Sequence, residues 1–212
     1  MSREQLAHPE LAAIEITGMT RQSFMLRGAL TAGAVYGLGT VGPFVSSAVA
    51  QQGDGDVDIL NFALTLEYLE AAFYARALRR VPGLSGGVKS LATEIRDNEN
   101  EHVAALTATI KQLGGTPVKA PGVDFDDAFK SQRSFLKLAQ TFEDTGVSAY
   151  NGAAPAIQSK EVLAAAGSIV QIEARHAAAI RLLNGKQPAA GAFDPALEMQ
   201  EVLDAVKPFV KS

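Results

Sequence analysis

Between Asp56 and Asn184, apolar residues recur at spacings of three and four in four separate stretches. The first stripe reads Leu60, Ala63, Leu64, Ala71, Tyr74 and Leu78. Asp56 is placed to cap its N-terminus, and Val81-Pro82-Gly83 ends it after Arg80. The second, over 88–113, carries Leu91, Ile95, Leu106, Ile110 and Leu113 between the loop Ser85-Gly86-Gly87 and the stop Gly114-Gly115. The third opens near Asp124 and Asp127, a capping-box-like start, and carries Phe135, Ala139, Phe142, Gly146 and Tyr150 up to Asn151-Gly152. The fourth, over 159–184, carries Ala166, Ile169, Ile180 and Leu183, with Gly185 as the residue past its end. Asp194-Pro195 reads as an N-cap with proline at the first helical position, opening a short fifth helix to about Val206. The pattern predicts an all-α four-helix bundle with a short C-terminal fifth helix. The connection from the second helix to the third, about ten residues, spans roughly 35 Å when extended, enough to cross the bundle lengthwise.

Charged residues interrupt these stripes in a repeated order. Glu67 lies inside the first, Glu99 and His102 inside the second, Glu143 inside the third, Glu173 and His176 inside the fourth. Glu94 and Glu101 fall on the outer face instead. Glu67 is followed seven residues later by Tyr74, and Glu143 by Tyr150; Glu99 is followed three residues later by His102, and Glu173 by His176. Glu, Tyr, Glu-x-x-His therefore occurs twice, an internal repeat of a helix pair. Each Glu-x-x-His puts a carboxylate and an imidazole side by side on one helix face. Tyr74 and Tyr150 lie nearly two turns beyond their glutamates, on the same face. They read either as hydrogen-bond donors to a ligand carboxylate or as core tyrosines satisfied elsewhere. Glu70 breaks the repeat, because its counterpart is Gly146. It reads as an extra ligand reaching into the space the glycine leaves, or as a solvated residue at the edge of the stripe.

Composition narrows the chemistry. The 212 residues carry a net charge of −4, which gives no basic excess for nucleic acid, and no cysteine, which excludes disulfides and thiolate ligands. The first fifty residues do not read as folded domain. A polar start, Thr20-Arg21-Gln22-Ser23-Phe24-Met25 and a diluted apolar run from Gly28 end in Ala48-Val49-Ala50, a signal-peptidase pattern. Residues 1–50 thus resemble a twin-arginine export signal, degenerate because Gln22 stands where the second arginine belongs. A Sec signal or a retained membrane anchor stays open. Cleavage after Ala50 would leave a periplasmic or extracellular chain of residues 51–212. His8 lies in the signal segment and has no assigned role.

Four buried carboxylates are expensive and repel one another. Removing any one of them, Glu99 included, is expected to relieve that repulsion in the metal-free chain. No Arg or Lys falls on the inner stripes. Two divalent cations would balance four carboxylates, with neutral His102 and His176 completing the set. Mixed carboxylate and imidazole donors suit iron first, manganese second, and zinc less specifically. The plain alternative is a buried hydrogen-bond network or a solvated groove, which a doubled pattern on matched helices disfavours.

This set, one Glu from each of two helices and Glu-x-x-His from each of the other two, resembles the ferritin-like carboxylate proteins. The stretch from Asp56 to Lys186 is similar to the secreted ferritin-like family that includes plant desiccation-related proteins, chiefly through Val57 to Glu70 and Phe73-Tyr74. The resemblance implies that Glu99 and Glu173 bridge two metals while Glu67 and Glu143 cap them. It implies a di-iron or di-manganese centre that reacts with dioxygen or peroxide, with the metal centre itself as the reactive group. Homo-oligomers occur within that expectation. A non-catalytic metal-binding stress or structural protein of the cell envelope is the rival reading. An iron-storage cage is a weaker one, since nothing in the sequence identifies shell-forming contacts.

Overall fold

The computed structural model describes residues 55–211. The export-signal and cleavage-site expectations lie outside the described residues. Five α-helices account for most of the described chain: α1 (Asp56–Arg80), α2 (Gly86–Gln112), α3 (Gln132–Ala153), α4 (Lys160–Leu183) and α5 (Met199–Val206). Among the described residues no helix is long and apolar enough to cross a membrane.

The four long helices follow the predicted stripes, and their ends depart from expectation in ways local chemistry explains. Asp56 is the first residue of α1 rather than its cap, which is Gly55. Its carboxylate is taken by the other end of the repeat, accepting from the backbone N–H of Gln158 at 2.7 Å and Ser159 at 2.8 Å. Asp124 and Asp127 do not cap α3. A 3₁₀ turn, Asp126–Lys130, comes first, and Ser131 then closes a capping box with Ser134. α4 begins as expected behind Ser159, whose hydroxyl accepts from Val162 N–H at 3.2 Å. Asp194-Pro195 does not open α5. Glu198 caps it with Glu201 as reciprocal partner, while the Asp194 carboxylate meets Arg181 at 3.4 Å. Leu113 and Leu183, placed on the stripes by periodicity, are largely exposed because they fall at the helix ends.

The crossover from α2 to α3 does run lengthwise. Asn61, early in α1, accepts from Val118 N–H at 2.8 Å and donates to Thr116 O at 3.2 Å. Arg76, late in α1, donates to Val123 O at 2.8 Å. The segment between is thus laid along α1 for roughly 20 Å. Gly114, at φ 79°, turns the chain out of α2, and Gly115 N–H then bonds Ile110 O at 2.9 Å, a Schellman-type end. Past α5 the chain returns to this crossover: Asp124 N–H bonds Phe209 O and Lys211 N–H bonds Gly122 O, both at 2.9 Å.

α1 lies antiparallel to α3, and α2 antiparallel to α4, as the pairs described below require. Two apolar clusters fill the interior. One gathers Phe73, Phe125, Phe129, Phe135 and Phe142 with Val202, Leu203 and Val206 of α5. The other gathers Leu60, Leu64, Leu106, Ile110, Val162 and Ile169. The charged residues of the repeat occupy the level between them along the helices. α1 is buried around more of its circumference than its stripe predicts, with Phe62, Leu66, Leu69 and Phe73 also interior: Phe125 and Phe129 pack on Phe73, and Phe62 and Leu66 lie beside Ala149 and Ala153 at the end of α3.

Candidate metal centre

Each long helix contributes at mid-length. Glu67 comes from α1, Glu99 and His102 from α2, Glu143 from α3, Glu173 and His176 from α4. All four glutamates are wholly buried, and the histidines are 8% and 5% exposed. Their ligand atoms gather into two overlapping groups, each within 4.8 Å of one another. One group is Glu67, Glu99, His102 and Glu173; the other is Glu99, Glu143, Glu173 and His176. Glu99 and Glu173 belong to both. Glu94 and Glu101, read as outward-facing, are exposed.

Distances repeat the internal symmetry. His102 Nδ1 lies 3.2 Å from Glu67 Oε2, 3.1 Å from Glu99 Oε2 and 3.0 Å from Glu173 Oε1. His176 Nδ1 lies 3.0 Å from Glu99 Oε1, 3.4 Å from Glu143 Oε2 and 3.9 Å from Glu173 Oε2. The tyrosines cross over between halves. Tyr74 Oη on α1 donates to Glu143 Oε1 on α3 at 2.5 Å, and Tyr150 Oη on α3 donates to Glu67 Oε1 on α1 at 2.6 Å. Each half thereby holds the other half's glutamate.

Burial and mutual charge set the protonation. Burial pushes the Glu67 carboxyl well up, and the Glu173 charge adds to it. Burial and then the Glu99 charge raise Glu173. Burial raises Glu143 to about 8 against the opposing pull of the His176 imidazole, 3.4 Å away. Glu99 goes the other way. Burial pushes it up, but the hydrogen bond from His102 and the close approach of the His176 imidazole outweigh that and hold it at about 2. Glu99 is thus both the carboxylate the two histidines stabilise and a charge that pushes up Glu173, Glu67 and Glu143. Burial disfavours the charged imidazoles, yet the surrounding carboxylates raise His102 to about 12 and His176 to about 10. Burial likewise raises both tyrosine hydroxyls well above their usual range, next to the charges of Glu143 and Glu67.

The donor set fits a pair of cations. Glu99 Oε1, Glu143 Oε2, both Glu173 oxygens and His176 Nδ1 are buried without a hydrogen-bond partner. The 3.0 Å approach of His176 Nδ1 to Glu99 Oε1 is close but not aligned as a hydrogen bond. An unmet buried polar atom costs about 1–3 kcal/mol. Five of them rival the whole stability of an ordinary domain, roughly 5–15 kcal/mol. Two divalent cations held by Glu67, Glu99, His102, Glu143, Glu173 and His176 would satisfy all five. Oxygen-rich donors with one imidazole per group suit iron or manganese.

Two residues change the sequence-based picture. Glu70 is not solvated at a stripe edge; it is 3% exposed, and its carboxylate points at the backbone of Gly146. Asn98 is a contact the apolar stripes do not predict. Its Nδ2 lies 3.0 Å from His176 Nε2, joining α2 to α4. The only signal for it in the sequence is its place one residue before Glu99, which does not specify a partner on another helix.

Comparison with known proteins supports the architecture. The chain resembles the crystal structure of a conserved hypothetical protein from Mycobacterium tuberculosis, with a TM-score of 0.55 and 19% identity. That match covers 70% of this chain and 98% of the other, and it speaks to fold alone. No curated protein matches the sequence. Residues 55–186, from the start of α1 past the end of α4, match the ferritin-like domain. With its four-helix bundle and buried Glu/His layer, this chain belongs to the ferritin-like domain family.

Proposed function

We propose that the protein is an exported dinuclear metal protein, iron most favoured and manganese second, that reacts Fe(II) or its bound metals with dioxygen or peroxide in stress protection. The observation that carries the reading is the set of five unpartnered polar atoms among six convergent donors at the centre of an apolar bundle. Glu99 and Glu173 would serve both ions, Glu67 and Glu143 one each, and each imidazole one. Bound iron would supply Lewis-acid and one-electron redox chemistry.

The chain's own residues do the rest. Tyr74 and Tyr150 orient Glu143 and Glu67 through one oxygen each, leaving Oε2 of both turned to the histidines. The imidazoles carry protons in the metal-free protein and give them up as cations enter. The aromatic and aliphatic clusters on either side keep bulk water out, so charges in the layer interact strongly.

Near-complete enclosure of the donors favours one second reading, a metal that serves folding only. Metal analysis of the protein from its native compartment, followed by oxygen consumption with Fe(II), separates the two. About two ions per chain with turnover supports the first reading, and two ions without turnover the second. A stoichiometry near zero after reconstitution with Fe(II) or Mn(II) rejects both. Export is tested by N-terminal sequencing: a mature chain should begin at Gln51, whereas an intact N-terminus on membrane-associated protein indicates a retained anchor.

A further inference from the structure

The two donor groups are related by the repeat, but their surroundings are not. Glu70 lies one turn beyond Glu67 on α1, and the matching place beyond Glu143 on α3 is Gly146. A Cβ at Gly146 would stand 3.2 Å from Glu70 Oε1, 3.7 Å from Glu70 Oε2 and 3.5 Å from Glu173 Oε2. The buried Glu70 carboxylate therefore sits beside Glu173 in the gap that α3 leaves by having no side chain there. Of the two Glu173 oxygens, Oε1 faces His102 at 3.0 Å, whereas Oε2 is the one facing His176, at 3.9 Å. Helix register agrees. Because α1 and α3 are antiparallel, moving from Glu67 toward Tyr74 moves toward the level of Glu143.

A second asymmetry falls on the same side. Asn98, one residue before Glu99, reaches His176 Nε2 at 3.0 Å, whereas the matching residue before Glu173 is Ile172, which offers His102 no amide. Amide nitrogen and oxygen are interchangeable by a flip, so Asn98 can accept from Nε2–H when Nδ1 binds a cation. Such a contact holds the ring with Nδ1 facing the donors.

We infer that the position formed by Glu99, Glu143, Glu173 and His176 takes Glu70 as an additional carboxylate ligand and is the tighter of two unequal divalent-cation positions, filling first. The inference rests on the dinuclear reading above. An added carboxylate raises affinity for a hard cation, and a pre-oriented imidazole loses less on binding. The position with Glu67 and His102 has neither aid.

The test is titration of the chelated full chain with Mn(II) by calorimetry and with Co(II) by visible absorption, neither of which needs turnover. Wild type should load in two steps whose Kd values differ by about tenfold or more. His176→Ala should remove the tighter step and His102→Ala the weaker one. Glu70→Gln, which keeps shape and removes charge, should weaken the tighter step by about tenfold or more and leave the weaker one unchanged. Gly146→Ala should act in the same direction by displacing the Glu70 carboxylate. Circular dichroism on each variant confirms the helical fold. Equal affinities in wild type, or a Glu70→Gln effect confined to the step that His102→Ala removes, overturns the inference and leaves the dinuclear reading standing. Absence of any bound ion in folded wild type overturns the dinuclear reading itself.

Discussion

Glu99 and Glu173 occupy equivalent places in the repeat, yet burial leaves them with opposite electrostatics. The two imidazoles beside it hold Glu99 ionised, while burial and then the Glu99 charge push Glu173 toward its protonated form. In chelated protein, Glu173→Gln should therefore stabilise the fold, and Glu99→Gln should destabilise it, each by on the order of 1–3 kcal/mol. Both should lose affinity at the two metal positions, since both residues belong to each donor group. Calorimetric melts with and without chelator separate the effects. Glu101→Ala, exposed on the opposite face of α2, should change neither. The tyrosines give a second residue-level prediction. Tyr74→Phe strips the hydrogen bond from Glu143 Oε1 and should weaken the Glu143–His176 position about 10–100-fold, whereas Tyr150→Phe should act on the Glu67–His102 position. Site-resolved Co(II) titration reads this directly. If both tyrosine variants weakened the same position, the crossing of hydrogen bonds between halves would be wrong.

At the scale of elements, the structure separates what supports the bundle from what supports the site. α5 docks on the aromatic cluster through Val202, Leu203 and Val206, away from the charged layer. Leu203, 1% exposed, should cost about 2–5 kcal/mol when changed to alanine, with metal stoichiometry unchanged. Equilibrium unfolding together with metal analysis checks this. The crossover depends on different chemistry. The Asn61 side chain makes two hydrogen bonds to it, so Asn61→Ala should leave Val118 N–H unpaired and destabilise by about 1–3 kcal/mol. Hydrogen exchange should then rise first in residues 116–118. Unchanged exchange there would mean that Arg76 and the C-terminal pairing at Val123 suffice to hold the segment.

For the molecule as a whole, the charged layer sets the pH dependence. His102 and His176 are raised in the fold, so the stability they contribute is present below their unfolded pKa, about 6.5, and is lost as pH rises toward about 10 and 12. Glu67, Glu143 and Glu173 are also raised, so the fold holds more protons than the unfolded chain above pH 4.5. Both groups act with the same sign, and chelated protein should melt at progressively lower temperature from pH 5 to pH 9. Within the layer Glu99 opposes this, with stability present above its unfolded pKa and lost as pH falls toward about 2. Metal entry displaces these protons, so metal affinity should rise over the same range and Fe(II) or Mn(II) should restore stability most at alkaline pH. Melting curves across pH with and without metal test both halves. A chelated protein that gains stability between pH 5 and pH 9 would contradict the protonation described for the layer.

The period of the apolar stripes and the doubled Glu-x-x-His determined much of this protein by themselves: an all-α bundle, its four long helices, and six residues on inner faces. A helix face follows from a spacing of 3.6 residues whatever packs against it, so Glu99 and His102 must point together wherever α2 lies. What faces that pair is not a local property. Which glutamate Tyr74 holds, that Asn98 meets His176, and that Glu70 is buried against Gly146 depend on the antiparallel register of α1 on α3 and α2 on α4. The helix starts show the same division. Ser159 caps α4 as its side chain dictates, but Asp56 and Asp194, equally good caps in isolation, are drawn to Ser159 and Arg181 instead. A carboxylate goes to the donor that tertiary packing brings nearest, and only the folded chain decides which donor that is.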